Sequence, residues 1–132
     1  MKLQRIKVSY EDERGSITDI LDSIDFNGAT IIKSRKGCIR GNHFHKKTIQ
    51  YIYVLKGKMK SQSKKIDEDL IEIILETGDL ISHESLEAHN FEALEDSTFI
   101  VLSSGLRTGK DYEKDTYRLN TPIEKFIAED IT

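Results

Sequence analysis

Apolar and polar residues alternate in short runs along most of this chain, with the period of two that belongs to a half-buried strand. Such runs occupy residues 6–10, 30–33, 50–55, 58–63, 70–75, 80–83, 89–94 and 98–103, and most are too short for a helix. Turn-forming residues punctuate them at 14–16, 27–28, 35–37, 56–57, 67–69 and 77–79, five of these six clusters holding a glycine. Many short strands between such turns predict an all-β antiparallel sandwich or barrel. The C-terminal end reads differently. Thr121, Pro122 and Glu124 stand at the cap, first-turn and capping-box positions of a helix, which should run to about residue 128. Ile123, Phe126 and Ile127 would form its sheet-facing side. Residues 17–24 fit either a brief helix or a loop, and there is no internal repeat.

Composition narrows the function classes. With 132 residues and 37% hydrophobic content, residues 1–132 are expected to form a single domain. A formal charge of −3, with 33% charged residues of both signs, gives a mixed surface and argues against nucleic acid as a partner. Cys38 is the single cysteine, so no intrachain disulfide can form. No apolar run approaches the roughly 20 residues that span a bilayer, and residues 1–5 lead into strand-like sequence, so a soluble cytoplasmic protein without a membrane partner is expected.

Candidate chemistry lies in the histidines. His43 and His45 are two apart in a strand-like stretch and share a face, while Phe44 takes the other. His89 opens a second alternation with Phe91 and Ala93 on its face, offering a third imidazole. Polar rings facing a barrel interior are costly unless partnered, so such a cluster marks a site more often than a core. His83, beside Glu84 at the end of a run, is expected on the solvated surface, as are Lys64, Lys65 and the acidic tip at 67–69. Tyr51 and Tyr53 are expected in packing or at an interface.

The spacing Gly37, His43, His45, Gln50, Gly57 resembles the first motif of the cupin superfamily, with Gln50 where that family normally has glutamate. Gly78 and His89 resemble the second motif, although its proline and glycine are Glu84 and Leu86 here. The resemblance implies a small cupin jelly-roll barrel with the histidines facing inward. A narrower likeness, in the run Arg40 to Lys47 followed by Gln50, is to the sugar-nucleotide 3,4-ketoisomerases, which convert a dTDP-4-keto-6-deoxyhexose into its 3-keto isomer. Residues 12–17 and 111–118 extend it. Where that branch places a tyrosine-rich strand, this chain has Ala29, Thr30, Ile31, Ile32 and Lys33.

The expected activity is therefore isomerisation or epimerisation of a nucleotide-activated keto-deoxysugar in surface-polysaccharide sugar biosynthesis. His43 and His45 would share the acid and base roles, since imidazole exchanges protons near neutral pH. Arg40, Gln50, His89 and Arg14 would bind substrate. No cofactor is expected in this reading. An alternative reading is a metal-dependent oxygenase or sugar-phosphate isomerase holding zinc, iron or nickel through His43, His45, Gln50 and His89. Another is a non-catalytic ligand-binding barrel. Related cupins are typically homodimers, and a homodimer is expected here.

Overall fold

The computed structural model describes residues 1–105 and 114–132. The alternating runs pair into two five-stranded sheets and a small hairpin. In the first sheet the order is β1 (Lys2–Arg5), β9 (Asp79–His83), β6 (Ile49–Lys56), β11 (Ser97–Ser104) and β4 (Gly28–Ser34). In the second it is β12 (Tyr117–Arg118), β5 (Ile39–Phe44), β10 (Glu87–Ala93), β7 (Lys58–Lys65) and β8 (Ile71–Glu76). Every pairing is antiparallel. Among the described residues, β2 (Tyr10–Asp12) and β3 (Gly15–Ile17) pair only with each other. This is the all-β jelly-roll arrangement expected from the sequence.

The inward faces of both sheets meet in one apolar cluster. Ile52 and Val54 of β6, Phe99 and Val101 of β11 and Ile81 of β9 pack against Met59 of β7, Leu75 of β8 and Phe91 of β10. Burying a side chain of this size stabilises the fold by about 1.5–3 kcal/mol, which is what makes the period-two pattern decisive. The chain crosses between sheets at Gly57, where φ is +115° and a Cβ would stand 2.2 Å from Ser97 Oγ and 2.7 Å from its Cα. Only glycine fits that corner.

Two stretches depart from expectation. The strand expected over 6–10 is displaced. Residues 2–5 pair with β9 in a register that sets Leu3 opposite Ile81, and the Ile6 amide then bonds the Gly78 carbonyl at 3.0 Å as the chain leaves the sheet. The C-terminal helix is present only as two short 3-10 turns, Ile123–Lys125 and Ala128–Ile131. Thr121 supplies no cap bond, and Ile127 is extended at φ −135°, ψ 170° between the turns. The surface beneath buries Ile123 and Phe126 against Phe44 and Ala88, with Ile131 packed partly buried at its edge, while Ile127 is 53% exposed. Side chains three apart align on a 3-10 turn, so burying this pair asks for no longer helix. Residues 18–27 form no regular element, which decides that stretch as a loop.

Candidate active site

β5 carries His43, His45 follows directly beyond its end, and the geometry of the strand depends on a bulge. His43 lies opposite His89 and Arg40 opposite Phe91, with the register shifting at His89 and Asn90 so that Asn42 is the extra residue. Residues 40 and 43 would face opposite ways on a regular strand. Because directly paired residues share a face, and His89 and Phe91 do, the extra residue turns Arg40 and His43 to the same side. Gly41 and Asn42 supply the bulge with φ of 95° and 61°. A Cβ on Gly41 would stand 2.9 Å from the His89 carbonyl oxygen and 3.0 Å from Asn90 Cα.

All four histidines of the chain gather in the barrel interior. Ring centroids are 4.9 Å apart for His43 and His45, 4.8 Å for His43 and His89, and 5.3 Å for His45 and His89. His83 is the correction. Expected on the surface, it is 1% exposed and stacks on His89 at 4.4 Å, with the ring planes 14° apart. The reason is strand parity: Asp79, Ile81 and His83 share the buried face of β9. His83 reaches across from the first sheet to meet His89 of the second. Ser63, opposite His89 on β7, and Ser103, opposite Gln50 on β11, complete a polar belt at one level of the barrel.

Hydrogen bonds fix which nitrogen does the work. His45 Nδ1 lies 2.7 Å from the Asp115 carbonyl and His89 Nδ1 lies 3.0 Å from the Glu87 carbonyl. A carbonyl only accepts, so both Nδ1 atoms carry a proton, and Nε2 holds the lone pair whenever the ring is neutral. His83 Nδ1 donates in the same way to the Glu87 carboxylate at 2.9 Å. Burial pushes the pKa of His89 well below the ordinary imidazole value, with the neighbouring histidines adding to the effect. Burial also lowers that of His83, against the pull of Glu87. Burial alone would raise the Glu87 carboxyl, but hydrogen bonds from His83 and the Met1 ammonium hold it below the usual range.

A cleft of about 410 Å³ opens onto this belt between the sheets, within the range of small-molecule sites. The second sheet supplies the charged and imidazole groups Arg40, His43, His89 and Arg118 together with Ile39 and Phe91, whereas the first supplies the Gln50 amide with Ile32, Ile52, Phe99 and Val101. Arg40 is held in place by its Nε donating to Ser34 Oγ at 2.7 Å and an Nη2 donating to the Lys33 carbonyl at 3.0 Å. Nη1 then remains for an anionic ligand.

Of the residues singled out from sequence, Arg40, His43, Gln50 and His89 line the cleft together, and His45 packs directly behind His43. Arg14 is not brought there. It sits at the β2–β3 hairpin, 79% exposed, bonded to Asp12 at 2.7 Å. The resemblance over residues 111–118 falls partly outside the described residues. Arg118 was not singled out as a site residue, although its run was; β12 pairs it with His43 and places it on the cleft wall. Asp115, Glu87 and His83 were missed as well, and only the parity of β9 carried a readable signal.

The fold family raises the question of a divalent metal. One ligand atom from each of His43, His45 and His89 lies within 4.8 Å of the others, and the bonded Nδ1 atoms of His45 and His89 leave Nε2 as the donor. Three neutral imidazoles of this kind fit zinc, iron or nickel, with Gln50 adding no charge.

Two facing antiparallel sheets with imidazoles converging on the interior are a cupin-type barrel, the shape shared by known sugar-nucleotide isomerases and epimerases. The chain belongs to the family described as the polysaccharide biosynthesis C-terminal domain, whose model matches residues 10–117. No curated protein sequence matches it. Among solved structures, a double mutant of the QdtA 3,4-ketoisomerase from Thermoanaerobacterium thermosaccharolyticum, in complex with TDP, is 27% identical with a TM-score of 0.73, over 89% of this chain and 86% of that one. A single mutant of the same enzyme in complex with TDP-4-keto-6-deoxyglucose is 25% identical, with the same TM-score of 0.73 and coverage of 89% and 86%. The dTDP-4-dehydrorhamnose 3,5-epimerase from Sulfolobus tokodaii shares the fold at 18% identity, with a TM-score of 0.71 over 98% of this chain and 94% of that one. Among the described residues, no helix is long and apolar enough to cross a membrane.

Proposed function

We propose that this protein isomerises or epimerises a nucleotide-activated keto-deoxysugar by imidazole-mediated proton transfer, without a metal, in the making of surface-polysaccharide sugars. The observation that carries the reading is the cleft itself, where the histidines and both arginines come from one sheet beside Ile39 and Phe91, and the other sheet adds Gln50 and the apolar side chains of Ile32, Ile52, Phe99 and Val101. A sugar ring bearing a methyl group and an oxygen-rich edge suits such walls. Moving a ketone by one carbon requires removing a proton beside the carbonyl, holding the resulting oxyanion, and returning a proton to the neighbouring carbon. His43 faces the cleft for the transfer, with His45 directly behind it. Arg40 and Arg118 supply positive charge for the oxyanion or the diphosphate.

Incubation with a dTDP-4-keto-6-deoxysugar in deuterated water tests this. Deuterium should enter the sugar, and His45→Asn should remove turnover by about 10²–10⁴-fold while the variant stays folded. A folded, fully active variant overturns the role of His45. Binding without deuterium exchange overturns catalysis and leaves a ligand-binding barrel.

The histidine trio favours a second reading, in which His43, His45 and His89 hold a divalent ion that supplies Lewis-acid stabilisation of the oxyanion. Elemental analysis of untagged protein separates the two, since stoichiometric metal favours the second. A homodimer is the proposed assembly, supported by the apolar outer face of the first sheet, where Tyr53 lies opposite Ile100 and Ile100 opposite the 66% exposed Ile31. Light scattering on the eluting protein checks it.

A further inference from the structure

Asp115 is 4% exposed, and its polar contacts converge on the connection between β5 and β6. One carboxylate oxygen accepts the Lys46 amide at 2.9 Å. The other accepts the Lys47 amide at 3.0 Å, the Thr48 amide at 2.8 Å and the Thr48 hydroxyl at 2.7 Å. Three successive amides on one carboxylate are a strong, charge-assisted clamp. The backbone carbonyl of the same residue accepts His45 Nδ1–H. His45 begins the clamped connection and Gln50 follows it, while Arg118, three residues beyond Asp115, pairs with His43.

We propose that Asp115 is a positioning residue of the site: its carboxylate pins the 46–48 turn, and its carbonyl thereby holds His45 as the Nδ1–H tautomer while seating the strand that brings Arg118 to the cleft. An imidazole that loses its carbonyl partner is no longer confined to one tautomer, and the lone pair then divides between its two nitrogens. A shift of about 1 Å in a supporting residue is enough to cost on the order of 10²-fold in rate. The kinetic part rests on the isomerase reading given above. The tautomer part does not.

The full-length chain, labelled with ¹⁵N-histidine, tests both parts through imidazole nitrogen shifts recorded alongside turnover. The wild type should show His45 as a pure Nδ1–H tautomer. Asp115→Asn sets an amide NH₂ against the turn amides, and should give mixed His45 tautomers, a kcat reduced at least tenfold and a raised KM for the nucleotide sugar. Thr48→Val removes one bond to the carboxylate and should shift the tautomer balance in the same direction by less. Folded Asp115→Asn protein with an unchanged His45 tautomer overturns the proposal. If that variant does not fold, Thr48→Val decides: a shifted tautomer supports the proposal and an unchanged one overturns it. A tautomer shift in a protein whose wild type shows no turnover supports the positioning role and overturns the isomerase reading instead.

Discussion

Arg118 ends the run over which the family resemblance extends, and strand pairing sets its side chain on the same wall as Arg40. Hydrogen bonds to charged groups contribute about 1.5–3 kcal/mol each, so Arg118→Ala should weaken binding of a nucleoside diphosphate by roughly 10- to 150-fold. Titration calorimetry with TDP measures this; unchanged affinity would mean that Arg118 faces no phosphate. The residues the sequence made legible are those set by parity. His43 and His89 each sit two apart from another inward residue, and His45 keeps the parity of β5 one residue past its end. Parity also applied to His83, but its neighbour Glu84 outweighed it, so a residue at a strand end was read as solvated. Contacts such as Asp115 with the 46–48 turn join residues 67 or more apart in sequence, and no local pattern reports them.

At the scale of the element, the bulge in β5 carries the most consequence. Strands, turns and facing sheets follow from the period-two runs, whereas the extra residue at Asn42 has no signature beyond an Asn after a Gly. That single insertion decides whether Arg40 faces the cleft or the solvent. Gly41→Ala should therefore cost about 1–3 kcal/mol, because the Cβ meets the β10 backbone in a conformation that side chains resist. Urea denaturation measures the loss. The C-terminal 3-10 turns teach the converse lesson. The capping signals at Thr121 and Glu124 were sound local cues, but Phe44 and its neighbours fully bury Ile123 and Phe126 from one turn and take Ile131 from the next, a spacing that leaves Ile127 outside.

For the whole molecule, the buried imidazoles set a pH limit. His83 and His89 have folded-state pKa values below the ordinary 6.5, so at pH below that value the unfolded chain binds more protons than the folded one. Their contribution to stability is present above about pH 6.5 and is lost as the pH falls through the folded values. The carboxyls of Glu87 and Asp115 are also depressed, and extend the loss below the ordinary carboxylate range. Urea midpoints should fall from pH 7.5 to pH 5.5, and replacing His83 with Phe should flatten that slope. A midpoint independent of pH over this interval would contradict the burial of these rings.

The contact between Arg40 and Ser34 joins β5 of one sheet to β4 of the other at the rim of the cleft. A hydroxyl on the opposite layer thus fixes one guanidinium of the cleft wall, and under the proposed function it would act as a caliper on the girth of an entering sugar. Ser34→Ala releases the guanidinium from that gauge. In a competition between a slim hexose derivative and one with a bulky branch, the altered protein should admit the stouter guest more readily while its imidazoles keep their places.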